Sequence, residues 1–298
     1  MKQKSFNSFV LILIFFNSQL YAQDIVAPGA QLEKLSGGFS FTEGPASDAA
    51  GNVFFTDQPN DRIMKWSTED LLTTWMKPSG RSNGLSFDVE GNLWACADEK
   101  NQLWKISPDK EVEVVIDRYQ DKLLNGPNDL WVAPDGGIYF SDPYYQRPWW
   151  DHKEMPQPCQ CVYYLTPDRK QLIRVVDNMK QPNGIIGSAD GKILYITDIG
   201  DKKTYVYTIG ENGSLHDPRL FCEMGSDGMT LDDQGNLYLT NKGVFVFNTA
   251  GEEIRHIEVP EPWTANVCFG GKDHQSLFIT ASKGLYRMKM NVKGIGSQ

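Results

Sequence analysis

Six oxygen-bearing side chains occupy equivalent positions in six related segments of the chain. In five segments this position lies eight residues before a turn glycine, namely Gly51, Gly91, Gly136, Gly191 and Gly235. The residues found there are Glu43, Asn83, Asn128, Asn183 and Asp227, and Asn266 opens the sixth, less regular segment. Asn and Asp also suit strand entrances, so one alone would indicate little. A carboxylate or carboxamide at all six positions indicates a shared ligand.

The residue types in this set favour a hard divalent cation. Every donor is an oxygen, with no His or Cys, which suits Ca²⁺, Mg²⁺ or Mn²⁺ better than Zn²⁺. Glu43 and Asp227 would balance the two positive charges of such an ion. We therefore expect one bound divalent cation and favour Ca²⁺, while Mg²⁺, Mn²⁺ and Zn²⁺ stay open.

The elements that must position these residues come from an internal repeat. Each copy has a short apolar run, a turn containing Asp and Gly, and a second run rich in aromatic and β-branched residues, which is typical of strands. The copies span 43–57, 83–98, 128–142, 183–198, 227–241 and 266–281. Further strand candidates lie between the copies, at 62–66, 103–106, 162–165, 205–208 and 244–247.

Four strands in each of six repeats predict an all-β fold, a six-bladed β-propeller with four-stranded antiparallel blades around a central channel. Because the first strand of each blade lines the channel, residues that enter it should converge at one channel mouth. The alternative is another all-β solenoid or sandwich.

The N-terminal segment is predicted to be a targeting sequence. Lys2 and Lys4 precede a short apolar run, and Ala22 offers a small residue for cleavage, which is the layout of a signal peptide. Residues 1–22 would then be removed, leaving a single domain at 23–298 in a secreted or periplasmic protein. The alternative is an uncleaved N-terminal anchor. The net charge of −9 does not suit a nucleic-acid partner.

The chain resembles the gluconolactonase family, which includes senescence marker protein (regucalcin) and luciferin-regenerating enzyme. The resemblance covers nearly the whole chain after the N-terminal segment. It rests on short motifs in the order Glu43-Gly44-Pro45, Arg81-Ser82-Asn83-Gly84, Pro127-Asn128-Asp129, Ser141-Asp142-Pro143-Tyr144, Pro182-Asn183-Gly184, Asp227-Gly228-Met229 and 266–271.

The resemblance implies specific roles for several of these residues. Glu43, Asn183 and Asp227 would be direct metal ligands, and Asn128 would lie beside the metal, contacting it directly or through water and substrate. Arg81 would point its guanidinium toward substrate oxygens.

We expect metal-assisted hydrolysis of a small-molecule sugar lactone. The cation would polarise the carbonyl group, and a carboxylate would take a proton from water. Asp227 is the first choice for this base, with Asn128 as the second catalytic residue. Asp129 is the alternative base, although strand alternation predicts that it points away from the channel if Asn128 points in. The substrate-binding set is Arg81, Asn83, Asn128, Asp129 and Tyr144.

Three other functions stay open on the sequence alone. The same fold and metal could hydrolyse another ester or an organophosphate. A propeller without catalysis could bind a peptide or glycan, or hold calcium for structural purposes. The oligomeric state also stays open.

One segment departs from a plain blade. Residues 143–161 are rich in Trp, Tyr and Pro and could form a wall over the site or simply pack onto the body. Cys159 and Cys161 at its end could form a disulfide, because an exported protein permits one. Cys96 and Cys268 lie in apolar runs and are predicted to be buried thiols.

Overall fold

A computed structural model describes residues 24–295, which form six four-stranded antiparallel sheets around a central channel. The predicted six-bladed propeller is confirmed. Blade 1 contains Thr42–Ser47, Val53–Asp57, Arg62–Trp66 and Leu72–Met76. Blade 2 contains Ser82–Phe87, Leu93–Ala97, Gln102–Ile106 and Val112–Ile116. Blade 3 contains Leu130–Val132, Ile138–Asp142, Cys161–Leu165 and Leu172–Val176.

The second half of the chain repeats this arrangement. Blade 4 contains Pro182–Gly187, Ile193–Asp198, Lys203–Ile209 and Leu215–Cys222. Blade 5 contains Met229–Leu231, Leu237–Asn241, Gly243–Phe247 and Glu253–Ile257. Blade 6 contains Thr264–Gly270, Ser276–Ala281, Gly284–Lys289 and Glu33–Gly37. Outside the blades lie a small hairpin, Arg118–Tyr119 with Lys122–Leu123, and two 3₁₀ turns, Gln58–Asn60 and Glu211–Gly213.

The ring is closed by the N-terminal strand. Glu33–Gly37 supplies the outer strand of blade 6 and pairs with Gly284–Lys289, which comes from the other end of the chain. The guanidinium of Arg287 donates to the Glu33 carboxylate at 2.9 Å and so ties the two strands together. Closure by strands from both ends makes the blades one cooperative unit, since neither end can leave without exposing a sheet edge.

The blades pack through their apolar middle strands. Val53, Phe55, Leu93 and Leu103 have almost no exposed surface, and they belong to clusters that fill the space within and between neighbouring blades. The three thiols outside the 159–161 pair, those of Cys96, Cys222 and Cys268, are also buried. The prediction of core thiols at Cys96 and Cys268 is therefore confirmed.

The predicted signal peptide at 1–22 lies outside the described residues, so cleavage and export stay predictions. Within residues 24–295, no helix has the length and apolar character needed to cross a membrane.

Candidate active site

The six repeated polar residues lie where the first strand of each blade begins. Five of them have at most about a sixteenth of their surface exposed, and Asp227 is half-buried. In blades 1, 2, 4 and 6 the pairing of the first strand with the second shifts register at this point, for example between Glu43 and Ala46. In blades 3 and 5 regular pairing begins only after it, at Leu130 and Met229. The polar ring therefore occupies an interruption in the ladder.

Close approach of neighbouring blades holds this ring together. A glycine follows the ring residue in four blades, at Gly44, Gly84, Gly184 and Gly228. A Cβ on Gly44 would lie only 2.1 Å from the carbonyl oxygen of Asn83 in the next blade. Gly84 N–H also donates to the carbonyl oxygen of Asn128 at 2.7 Å. The glycines thus let the backbone of one blade rest directly on the ring residue of the next.

Asn183 and Asp227 form the best-defined contact in the ring. The Asn183 amide nitrogen donates to Asp227 Oδ1 at 2.8 Å and to the hydroxyl of Tyr145 at 3.0 Å. Trp263 Nε1 donates to the other carboxylate oxygen, Oδ2, at 2.6 Å. The Asn183 carbonyl oxygen Oδ1 is buried, and no donor among residues 24–295 reaches it. A buried acceptor without a partner is costly and indicates a place for a ligand.

The carboxylates of the ring are electrostatically coupled. Burial raises the pKa of Glu43 well above its usual range, and the nearby negative charge of Asp227 raises it further. Burial also raises the pKa of Asp227 to about 6, although its hydrogen bonds from Trp263 and Asn183 act in the opposite direction. Repulsion between the buried Glu43 carboxylate and the half-buried Asp227 carboxylate favours a bound proton or cation beside them.

Asp129 points into the channel, so the expectation from strand alternation was wrong. Its Oδ2 accepts a hydrogen bond from Asn266 Nδ2 at 3.3 Å, and its Oδ1 accepts one from the Leu130 N–H at 3.0 Å. Alternation does not apply because the strand begins only at Leu130. Asp129 takes the place that glycine fills in four other blades, and it reaches from blade 3 to blade 6. Burial raises its pKa to about 7.

A cavity of about 100 Å³ lies in the channel behind the ring. Asp129 and Asn266 line its polar part, whereas Leu85, Ile185 and Met229 contribute apolar surface. The Asp129–Asn266 contact thus lies on the inner side of the ring, where it lines this cavity.

The structure separates the predicted substrate-binding residues into two groups. Asn83 and Asn128 lie in the ring with Asp129 behind them. Arg81 instead stacks on Trp149, with its guanidinium carbon 4.6 Å from the ring centroid, and donates from Nη1 to the Pro59 carbonyl at 2.8 Å. Tyr144 contacts its own loop, where its hydroxyl lies 2.5 Å from Gln146 Oε1. These roles stay predictions.

The long loop after Asp142 both covers the site and packs onto the body. Tyr145 reaches Asn183, whereas Trp150 is buried and donates from Nε1 to the Asp98 carbonyl at 2.6 Å. A disulfide joins Cys159 to Cys161 at the end of the loop. The two expectations for this loop, a wall and simple packing, thus apply to different residues.

Sequence reasoning missed Trp263 and Arg147 as parts of the site. Trp263 lies three residues before the ring position of the sixth copy, and that proximity was the available signal. Arg147 lies in the irregular loop and has no counterpart in the repeat. Its guanidinium carbon is 5.5 Å from the centroid of the Tyr145 ring.

The fold and the ring define the class of protein: a six-bladed propeller with carboxylates and carboxamides converging at one channel mouth. Residues 41–283 match the family model described as the SMP-30/Gluconolactonase/LRE-like region, and the chain belongs to this family. It is 30% identical to the gluconolactonase of Zymomonas mobilis, over 88% of this chain and 82% of that protein.

Solved structures agree with this assignment. A gluconolactonase from Xanthomonas campestris has a TM-score of 0.82 at 29% identity, covering 89% of this chain and 91% of that one. A regucalcin described as calcium-binding, from Agrobacterium tumefaciens, has a TM-score of 0.75 at 16% identity, covering 89% and 95%. The second likeness concerns the fold alone.

Proposed function

We propose that this protein hydrolyses sugar lactones with the help of one divalent cation at the channel mouth. Glu43, Asn183 and Asp227 would hold the cation, with Asn128 beside it. The observation that carries the proposal is the contact between Asn183 and Asp227, which leaves the Asn183 carbonyl oxygen buried and without a donor from residues 24–295. The gluconolactonase relatives support the choice of a lactone as substrate.

The residues present fit such an ion. Because the Asn183 amide nitrogen is fixed by Asp227 and Tyr145, its carbonyl oxygen must face the other way, where a cation could use it. Repulsion between Glu43 and Asp227 would also be relieved by a divalent charge. No group of three His, Cys, Asp or Glu side chains suited to a metal occurs within residues 24–295, so the site would depend on carboxamide oxygens. This all-oxygen set favours Ca²⁺.

A bound divalent cation would polarise the lactone carbonyl and stabilise negative charge on its oxygen. Asp227 is the base in this proposal, because its carboxylate would lie at the edge of the cation's ligand set, where it could accept a proton from water. Trp263 and Asn183 each hold one of its oxygens, which fixes the direction of the carboxylate. Tyr145 and the loop after Asp142 would restrict water at the mouth.

The test is turnover of a panel of sugar and aliphatic lactones in a pH-stat. Protein is assayed after chelation and again after addition of Ca²⁺, Mg²⁺, Mn²⁺ or Zn²⁺. Asp227→Ala should lose at least about 100-fold in kcat, the usual scale for removal of a catalytic base. Asp217→Asn, an exposed carboxylate on the outer strand of blade 4, serves as the matched control and should keep full activity.

Two outcomes would contradict the proposal. Absence of turnover on every lactone, with each ion present, would reject lactone hydrolysis. Turnover that survives complete chelation would retain the lactonase and reject the cation.

A further inference from the structure

The guanidinium of Arg147, near the candidate site, makes a hydrogen bond through only one of its two edges within the described residues. Its Nε donates to Asp98 Oδ2 at 2.6 Å, and about a fifth of its side chain (21%) is exposed. Within the described residues no hydrogen bond uses its Nη1 or Nη2 atoms. A guanidinium has two edges, each able to bind a carboxylate through two parallel hydrogen bonds. Asp98 engages the Nε side, so the Nη1/Nη2 edge is free.

Asp98, whose carboxylate binds Arg147, does not make the backbone hydrogen bonds that its counterparts in three other blades make. In blades 1, 3 and 4 the Asp that ends the second strand accepts two backbone N–H groups from the segment entering the first strand of its own blade. These pairs are Asp57 with Ser40 and Phe41, Asp142 with Asn125 and Gly126, and Asp198 with Lys180 and Gln181.

Blade 2 differs from this rule. There Asp61 accepts two N–H groups of the entering segment, those of Ser79 and Arg81, at 2.9 and 2.8 Å. Asp98 instead accepts from Arg147 and from Gln58 Nε2. Asp57 in blade 1 also accepts from a cation, Arg62 of its own blade, whereas the cation on Asp98 comes from the long loop after Asp142.

Contacts of Arg147 connect it to the ring. It stacks on Tyr145, whose hydroxyl accepts from Asn183. Tyr145 thus links the guanidinium of Arg147 to the ring at Asn183.

A second guanidinium, that of Arg81, lies near Arg147. The guanidinium carbons of Arg81 and Arg147 lie 4.6 and 5.8 Å from the ring centroid of Trp149. Arg81 Nε and Trp149 Nε1 are buried donors without a hydrogen-bond partner in the described part of the chain. Glu99 lies 3.8 Å from Arg81 Nε and Asp98 2.6 Å from Arg147 Nε, so both charges have a carboxylate nearby, and what the two guanidiniums and the indole offer an acceptor group is N–H donors.

We propose that the Nη1/Nη2 edge of Arg147 binds a carboxylate carried by the substrate, so that the preferred substrates are lactones of sugar diacids. This inference rests on the proposed lactonase function and names its substrate class. The ring carboxylates would already be balanced by the divalent cation, and the carboxylate of the substrate would lie on the rim, away from them. A fork geometry favours a carboxylate over single hydroxyl groups.

The test compares kcat/KM for D-glucaro-1,4-lactone and D-glucono-1,5-lactone in the wild type, Arg147→Met and Arg147→Lys. We expect the wild type to prefer the diacid lactone. Arg147→Met should reduce the ratio of the two kcat/KM values by about 30-fold, mainly through KM of the diacid, because it loses charge-assisted hydrogen bonds. Arg147→Lys keeps the charge and should fall between. Arg255→Met, on the exposed outer strand of blade 5, is the matched control.

A loop displaced by loss of the Asp98 contact would lower activity on both lactones equally and leave the ratio unchanged, and this outcome would overturn the inference. Calorimetric binding of D-glucarate against D-gluconate separates the two proposals. Glucarate binding that depends on Arg147, without turnover of either lactone, would keep the anion site and reject the lactonase. Turnover without charge discrimination would do the reverse.

Discussion

The ring of polar residues depends on a close backbone contact that one methyl group should disrupt. Gly44 adopts a φ of +41°, and a Cβ there would lie 2.1 Å from the Asn83 carbonyl oxygen and 2.7 Å from the Gly84 Cα. Both are backbone atoms of the next blade, so no side-chain rotation can relieve the contact. Gly91 also has a positive φ, +81°, yet a Cβ there would meet nothing within 4 Å. The pair Gly44→Ala and Gly91→Ala therefore separates backbone strain from interblade overlap.

The expected magnitudes follow from these two environments. Gly91→Ala should lower the free energy of unfolding by about 1–2 kcal/mol, because a residue with a Cβ is strained in a left-handed backbone conformation. Gly44→Ala should cost the same amount plus about 1–3 kcal/mol for overpacking. Since 1 kcal/mol corresponds to roughly 2–4 °C in a domain of this size, the Gly44 variant should melt about 2–12 °C below the Gly91 variant.

Differential scanning calorimetry supplies the melting temperatures, and lactone turnover supplies the second measurement. Gly44→Ala must move Glu43 or Asn83, so its kcat/KM should fall by at least about tenfold, because misplacement of about 1 Å near the reacting groups is enough for such a loss. Gly91→Ala should keep wild-type turnover, because its turn lies at the opposite end of the strand from the ring. Equal melting temperatures, or full activity in Gly44→Ala, would refute the idea that blade contact builds the ring.

Two further predictions concern Asp98 and Trp263. Burial raises the pKa of Asp98 to about 6 despite Arg147. Because this lies above the unfolded value, protonation stabilises the fold at low pH, and that stabilisation is lost as pH rises from about 4 through about 6. Melting curves should therefore show the wild type losing stability across this window relative to Asp98→Asn, and parallel curves would contradict it. Trp263→Phe removes the hydrogen bond to Asp227 Oδ2 and should lower kcat/KM by about tenfold with little change in melting temperature. A loss confined to stability would count against this positioning role.

The fold could be predicted because each repeat contains short-range interactions that specify its own strands and turn. The turn at Asp88 illustrates this, since Asp88 Oδ1 accepts from the N–H groups of Glu90 and Asn92, at 3.0 and 2.9 Å, while Gly91 supplies the positive φ. The same short-range signal recurs in the other copies, so the period and the strands could be read without any tertiary information. The constant offset to Glu43 and Asp227 then located the ring.

What the sequence could not predict are the places where one blade departs from the others. Alternation failed at Asp129 because the strand begins at Leu130, two residues later than the repeat suggests, and the Asp129 side chain reaches Asn266 in the opposite blade. The Asp98–Arg147 pair was hidden for a related reason: its partners lie 49 residues apart, and Asp98 reads as one more copy of Asp57 or Asp142. A sequence repeat predicts that equivalent positions in all six blades make the same contacts. An asymmetric substrate, however, needs contacts that differ from one blade to another. Asp129 and Arg147 are two such departures from the repeat in this propeller, and both are recognisable only once the equivalent positions in the other blades can be compared in space.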